Sequence, residues 1–255
     1  MSEINYEVTD THCHLDFKNF NKDREETIQR ALDAGVTTMI DSGVELKSNK
    51  RALKLAQNYD FIHATLGMNP NPLTDMTDQD VQATLDHIRE NAGEIVAVGE
   101  AGLDHYRCLD PAERERQVEV FKKVIDLAQE LDLPLTIHAR DTEQQCLEMV
   151  KHLDKVVFHC YSGNVATMRE ALDKGFYISL ATVICRSAPH QVLARQVDLD
   201  YLLIETDSPF LSPRHGRNEP SYILDSLNLI AKIKEISPAE VAKATTENAK
   251  RIFGI

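Results

Sequence analysis

Short apolar, β-branched runs recur along this chain, and each is followed by a stretch whose apolar positions repeat at helical spacing. The runs fall at 6–14, 36–43, 61–67, 95–100, 133–139, 155–161, 176–181 and 201–207. Between them the pattern predicts helices over 23–34, 46–58, 78–91 and 111–131, with Gly35 closing the first. Asp110 and Pro111 supply an N-cap and a first-turn proline for the longest of these. Asp141 with Gln144 has the spacing of a capping box for the next helix, and Ser162-Gly163-Asn164 opens another that Gly175 closes. A short helix over 189–196 and two closing helices complete the chain. Ser237 and Glu240 form a capping box at the start of the last. Eight strands that alternate with helices predict an α/β fold, a (β/α)8 TIM barrel. An open doubly wound sheet is the competing topology, but no glycine-rich phosphate loop follows the first strand.

No Pro/Gly/Ser-rich spacer, low-complexity tract or charge block divides the chain, so residues 1–255 are expected to form a single domain. A formal charge of −13 argues against holding nucleic acid on a broad basic face, although it leaves room for a local cationic site. No stretch approaches the ~18 apolar residues of a membrane span. Five cysteines without C-x-x-C spacing suit a reducing compartment, and a cytoplasmic protein is expected.

The candidate chemistry lies at the strand ends. His12 and His14 share one face of the first strand, roughly 6 to 7 Å apart, and can grip one ion. Further strands end in Glu100, His138, His159 and Asp207, all residue types that bind divalent metals. Barrel closure would gather these ends around one axis, on the face where barrel active sites lie. Glu100 comes from a strand between the two histidine groups and is the natural bridging carboxylate. Two metals about 3.5 to 4 Å apart could then share Glu100 and a hydroxide, with Asp207 as ligand and general base for hydrolysis. Alternation turns Cys13 and Cys160 away from the ligand face, toward packing against outer helices. Arg140 shares the parity of His138 and is placed to meet a phosphate, or to pair with Asp104 or Asp41. His105 is a further candidate for substrate contact. His63 reads as a core residue, while His87, His152, His190 and His215 read as surface histidines. Glu205 should lie one layer beneath Asp207, paired and supporting the ligands.

Several stretches together resemble the TatD-related metal-dependent hydrolases of the amidohydrolase superfamily over nearly the full length. They are Thr11-His-Cys-His-Leu-Asp16, Val98-Gly-Glu-Ala-Gly-Leu-Asp104, Leu133-Pro-Leu-Thr-Ile-His138-Ala-Arg140, Phe158-His-Cys-Tyr-Ser-Gly163 and Glu205-Thr-Asp-Ser-Pro209, with Asn218-Glu219-Pro220 and the terminal Asn248-Ala-Lys-Arg-Ile-Phe253. The resemblance implies a barrel, one or two divalent metal ions (Zn, Mg or Mn), and hydrolysis, often of DNA from the 3′ end. It also implies His12, His14, Glu100 and Asp207 around one metal and Glu100, His138 and His159 around the other. One position departs from the family pattern. After the third strand, Gly67-Met68-Asn69-Pro70 stands where relatives carry Gly-x-His-Pro. Asn69 can hydrogen-bond a substrate oxygen but cannot act as an acid or base.

A phosphodiesterase or deoxyribonuclease acting on single-stranded or 3′-terminal DNA is the leading expectation. An ester or amide hydrolase, such as a D-aminoacyl-tRNA deacylase, would use the same metals on a carbonyl. A metal-binding partner protein without turnover is disfavoured by the complete ligand set.

Overall fold

Eight parallel strands follow one another around a single sheet in chain order. In the computed structural model, which describes residues 6–255, they are β1 (Val8–Cys13), β2 (Val36–Ser42), β3 (Ile62–Met68), β4 (Ala97–Asp104), β5 (Leu135–Arg140), β6 (Val156–Phe158), β7 (Tyr177–Ala181) and β8 (Leu202–Glu205). The seam between β8 and β1 closes the barrel. There the Asp207 amide donates to the His12 carbonyl at 2.9 Å and the His14 amide to the Ser208 carbonyl at 2.7 Å. Lower in the seam, side chains take over from the ladder. The Asp10 carboxyl accepts from the Thr206 amide at 2.9 Å, and the Thr11 hydroxyl donates to the Ile204 carbonyl at 2.9 Å. Burial pushes the Asp10 carboxyl up to about 7, with its bonds to Thr206 opposing the rise.

Around the sheet run α1 (Arg24–Asp33), α2 (Leu46–Asn58), α3 (Asp78–Glu90), α4 (Pro111–Leu131), α5 (Glu143–Val150), α6 (Val165–Asp173), α7 (Ala188–Gln196), α8 (Ile223–Lys234) and α9 (Pro238–Phe253). Their starts are set by local chemistry. Asp110 accepts from the Ala112 amide ahead of α4, and Ser237 and Glu240 form the expected reciprocal box at α9. The box expected at α5 does not form. Asp141 takes a left-handed φ of 58°, Thr142 occupies the N-cap, and Gln144 turns outward to bond Glu170 and Thr167 on α6. Leu135, Ile137, Val156, Phe158 and Ile178 on the strands and Val124, Leu147 and Met168 on the helices belong to one buried apolar cluster. Among the described residues no helix is long and apolar enough to cross a membrane.

Two glycines let the strands approach where the site is built. A Cβ on Gly67 of β3 would stand 2.4 Å from the Glu100 amide of β4, and one on Gly102, at φ 152°, would stand 1.9 Å from the His138 carbonyl. The ladder slips on both sides of this region, between Leu66 and Met68 toward β4 and between Val98 and Ala101 toward β5. Such irregularities re-aim a side chain, and here they turn Glu100 toward the barrel mouth.

Candidate metal centre

Glu100 sits at the middle of the expected ligands with its two oxygens dividing the histidines between them. Oε1 lies 2.7 Å from His138 Nδ1 and 3.2 Å from His159 Nε2. Oε2 lies 3.4 Å from His12 Nε2 and 3.7 Å from His14 Nε2. Asp207 joins from the β8 side, with Oδ1 3.4 Å from His14 Nε2. It takes a left-handed φ of 54°, which aspartate tolerates better than most residues. The donor atoms of His12, His14 and Glu100 lie within 4.8 Å of one another, as do those of Glu100, His138 and His159. His12, His159 and Glu205 meet the same distance, but Glu205 already accepts from His159 Nδ1, the nitrogen turned away from Glu100.

Each histidine is held from behind. Ser42 serves two of them, its hydroxyl 3.2 Å from His12 Nδ1 and its carbonyl 2.7 Å from His14 Nδ1. Asp104 lies 3.2 Å from His138 Nε2, and Glu205 Oε1 lies 3.1 Å from His159 Nδ1 while also accepting from the Cys160 amide at 2.8 Å. A fixed partner on one ring nitrogen orients the other, which is how metal-binding histidines are commonly supported. The donor set also leaves a gap: His12 Nε2 is buried and has no hydrogen-bond partner. A divalent cation beside it would satisfy this atom, so the residues fit the group that the sequence implies.

Charge is balanced within the cluster. Burial opposes ionisation of Glu100, yet His159, His12 and His138 hold its carboxyl well below the usual range. Against the same cost of burial, Asp207 and Glu100 raise His14 to about 9, and Glu100 and Glu205 raise His159 well above its ordinary value. His138 also rises, because Asp104 and Glu100 outweigh burial. His12 goes the other way, lowered by burial and by the charge of His159. A cation entering the centre would replace these imidazolium protons.

Around the ligands the mouth opens as a cavity of about 710 Å³. Arg140 lines it, but neither expected ion pair forms: Asp104 is taken by His138 and the Arg107 amide, and Asp41 is buried against the Asp16 amide. The Arg140 guanidinium instead lies over the Tyr106 ring, 4.1 Å from its centre. Asn69 lines the cavity and donates through Nδ2 to Glu100 Oε1 at 2.6 Å, while its Oδ1 accepts from the Asn71 amide.

Three placements differ from expectation. His105 does not reach the mouth; its amide extends the ladder to the Arg140 carbonyl, and alternation past Asp104 turns the ring outward beside Arg114 and Val118. Cys160 lines the mouth instead of packing against a helix, because β6 stops at Phe158 and Cys160 turns at φ 44°. Burial and the charge of Asp207 push its thiol well up, so it stays a thiol and a poor metal ligand. His190, expected at the surface, also faces the cavity, its Nδ1 2.6 Å from the Ser187 hydroxyl. Cys13 is buried in the core as expected, and Glu205 lies beneath the ligands.

Sequence reasoning passed over Ser42 and assigned Asp104 no ligand-supporting role. Both end strands next to ligand strands, which was the available signal. Asn218 was quoted only as part of a motif. Buried, it donates through Nδ2 toward the Thr206 carbonyl at 2.8 Å and the Phe210 carbonyl at 2.6 Å, bracing the turn that carries Asp207.

Fold and donor set together define a barrel whose mouth carries a centre able to hold one or two divalent metal ions. Comparison with known proteins refines the class. The profile of the TatD-related DNase family matches residues 9–254. An uncharacterised metal-dependent hydrolase of Methanocaldococcus jannaschii is 38% identical over 254 residues, covering 99% of this chain and 98% of its own. The 3′-5′ ssDNA/RNA exonuclease TatD of Citrobacter koseri is 33% identical, covering 96% and 98%. In the crystal structure of a TatD homologue from Escherichia coli K12 the fold recurs with a TM-score of 0.90 at 28% identity, over 97% of this chain and 98% of that one. The chain belongs to the TatD-related DNase family.

Proposed function

We propose that this hydrolase cleaves phosphodiester bonds at the 3′ end of single-stranded nucleic acid, with DNA as the leading substrate. The observation that carries the reading is Glu100, whose two oxygens face different histidine pairs, as a carboxylate shared between two metals requires. The chemistry that divalent metals supply in such a centre is Lewis acidity and a nucleophile available at neutral pH. His12, His14, Glu100 and Asp207 would hold one ion and Glu100, His138 and His159 the other. Asp207, whose carboxyl is held low by His14 and His159 against the cost of burial, stays ionised and takes the proton of the attacking water. Arg140 at the mouth meets a phosphate oxygen, and Asn69 offers its remaining amide hydrogen to the substrate while the other stays on Glu100. The exonuclease relative named for single-stranded DNA and RNA supports the substrate class. Five free thiols support a cytoplasmic setting.

The test is hydrolysis by metal-stripped and metal-reloaded protein of three substrates: a single-stranded oligonucleotide, an aminoacyl-tRNA and a simple phosphodiester. Metal-dependent release of nucleotides from the 3′ end is expected. Turnover of the aminoacyl ester alone would replace the nuclease with a deacylase.

A further inference from the structure

Two aromatic walls flank the mouth from opposite sides of the barrel. Phe17 follows β1 and Phe210 follows β8, whereas Tyr106 follows β4 and Arg140 ends β5. In an eight-stranded ring taken in chain order, those two pairs of strands lie across the axis from each other. On the first side the Phe17 ring stacks on ligand His14 with centres 4.5 Å apart, and Phe210 packs edge-on to Phe17 at 6.0 Å. The aromatic surface is therefore continuous with the metal ligands. On the second side Arg140 lies over Tyr106, and Arg107 lines the same cavity. The described residues include four exposed large apolar side chains, and both aromatic ones are here: Tyr106 is 59% exposed and Phe210 47%. Both rings therefore present apolar faces to whatever enters the cavity they flank.

We infer that this rim is a base-stacking cleft. It seats the terminal base of a single-stranded nucleic acid against Phe17 and Phe210 and the adjoining base on Tyr106, with Arg140 and Arg107 facing the phosphate that joins them. The inference rests on the nuclease reading and names the residues that select its substrate. Aromatic faces accept any base, and a π face backed by a guanidinium suits an unpaired base next to its phosphate. Two arginines in a chain of net charge −13 place the anion attraction locally, at the cavity and not over a broad face. A volume of about 710 Å³ is of small-ligand size, enough for one or two unstacked nucleotides.

The test compares two single-stranded oligonucleotides of one sequence, one carrying normal bases and one abasic at its last two 3′ positions. The metal-loaded protein should favour the normal strand in kcat/KM by roughly 5- to 150-fold for each base removed, the range that one stacked base supplies. Tyr106→Ala and Phe210→Ala should each erase much of that preference, and Tyr106→Phe should keep it. Loss of activity through damage to the fold would lower both substrates together and leave the ratio unchanged, which overturns the inference. Binding of the same strands, fluorescently labelled, to an Asp207→Asn protein gives a readout with turnover slowed, and adding Tyr106→Ala or Phe210→Ala to it should bring the same loss of discrimination. Equal hydrolysis of the two strands by the unmodified protein overturns the stacking cleft alone. Hydrolysis of neither overturns the nuclease reading and the cleft with it.

Discussion

Replacing Glu205 by glutamine should weaken metal binding at the Glu100, His138 and His159 half by about 10- to 100-fold, or about 1.4 to 2.7 kcal/mol. The magnitude follows from what one oxygen does. Oε1 of Glu205 accepts from His159 Nδ1 at 3.1 Å and from the Cys160 amide at 2.8 Å. An amide oxygen in the same place can accept both, so the ring and the turn at Cys160 stay put and the imidazole loses only the negative charge behind it. The new NH2 group falls where Oε2 is buried without a partner, and an unmet donor there costs about 1–3 kcal/mol of stability. Glu205→Ala is a different perturbation. It strands both donors, about 2–6 kcal/mol together before any cavity is counted, against a total stability of about 5–15 kcal/mol. Zinc competition against a chromophoric chelator, run in a His12→Ala background to silence the other half, measures the affinity, and urea unfolding measures the fold. If Glu205→Gln binds zinc as tightly as its parent while Glu205→Ala unfolds no earlier, the carboxyl neither polarises His159 nor holds Cys160.

His12→Ala or His138→Ala should lose bound metal and activity while the barrel still folds; undiminished metal by elemental analysis in both would remove the assignment. Asp207→Asn should fold and lose turnover by roughly 10²-fold or more, the scale of a missing general base, and near-normal turnover would make Asp207 a ligand or turn residue only. Metal affinity should fall with pH below about 9, because His14, raised to about 9, and His138 and His159, also raised, carry protons in the metal-free protein that binding must expel. Calorimetry at pH 7 in buffers of different ionisation enthalpy should then report proton release, and an unchanged heat would contradict it. Asn218→Ala should lower stability by about 1–3 kcal/mol, since the Phe210 carbonyl loses its donor and the Thr206 carbonyl keeps only the Thr182 hydroxyl, and should depress turnover beyond that by loosening the turn at Asp207. A melting temperature and a kcat within error of the parent would show that the brace is idle.

Eight strands and their helices were legible because a half-buried strand and an amphipathic helix write different periods into a chain. Strand ends were less legible, and at β6 that mattered. Residues 155–161 read as one β-rich run, but the ladder stops at Phe158 and the chain turns to bring both His159 and Cys160 to the mouth. Alternation alone could place only one of them there. The ligand types could be picked out because histidine and carboxylate at strand ends are chemically conspicuous. Of their supports only Glu205 stood out in the sequence, whereas Ser42 and Asp104, with no mark beyond ending a strand, look ordinary until folding sets each beside a ring nitrogen. Asp141 shows the opposite failure: the spacing to Gln144 was right for a cap, but Gln144 found better partners on α6.

The two halves of the centre differ in how much of the chain must be present before they can exist. Glu100, His138 and His159 come from three neighbouring strands and span sixty residues of sequence. His12 and Asp207 meet only across the seam, where the Asp207 amide bonds the His12 carbonyl between the first strand and the last. A chain growing from its N-terminus therefore carries all three ligands of the first half before the second is complete, although His159 still waits on β8 for its Glu205 partner. Until the last strand docks, His12 and His14 stand without Asp207. Closure of the ring thus doubles as a checkpoint in the protein's birth: the full set of candidate ligands comes together only in the event that seals the barrel.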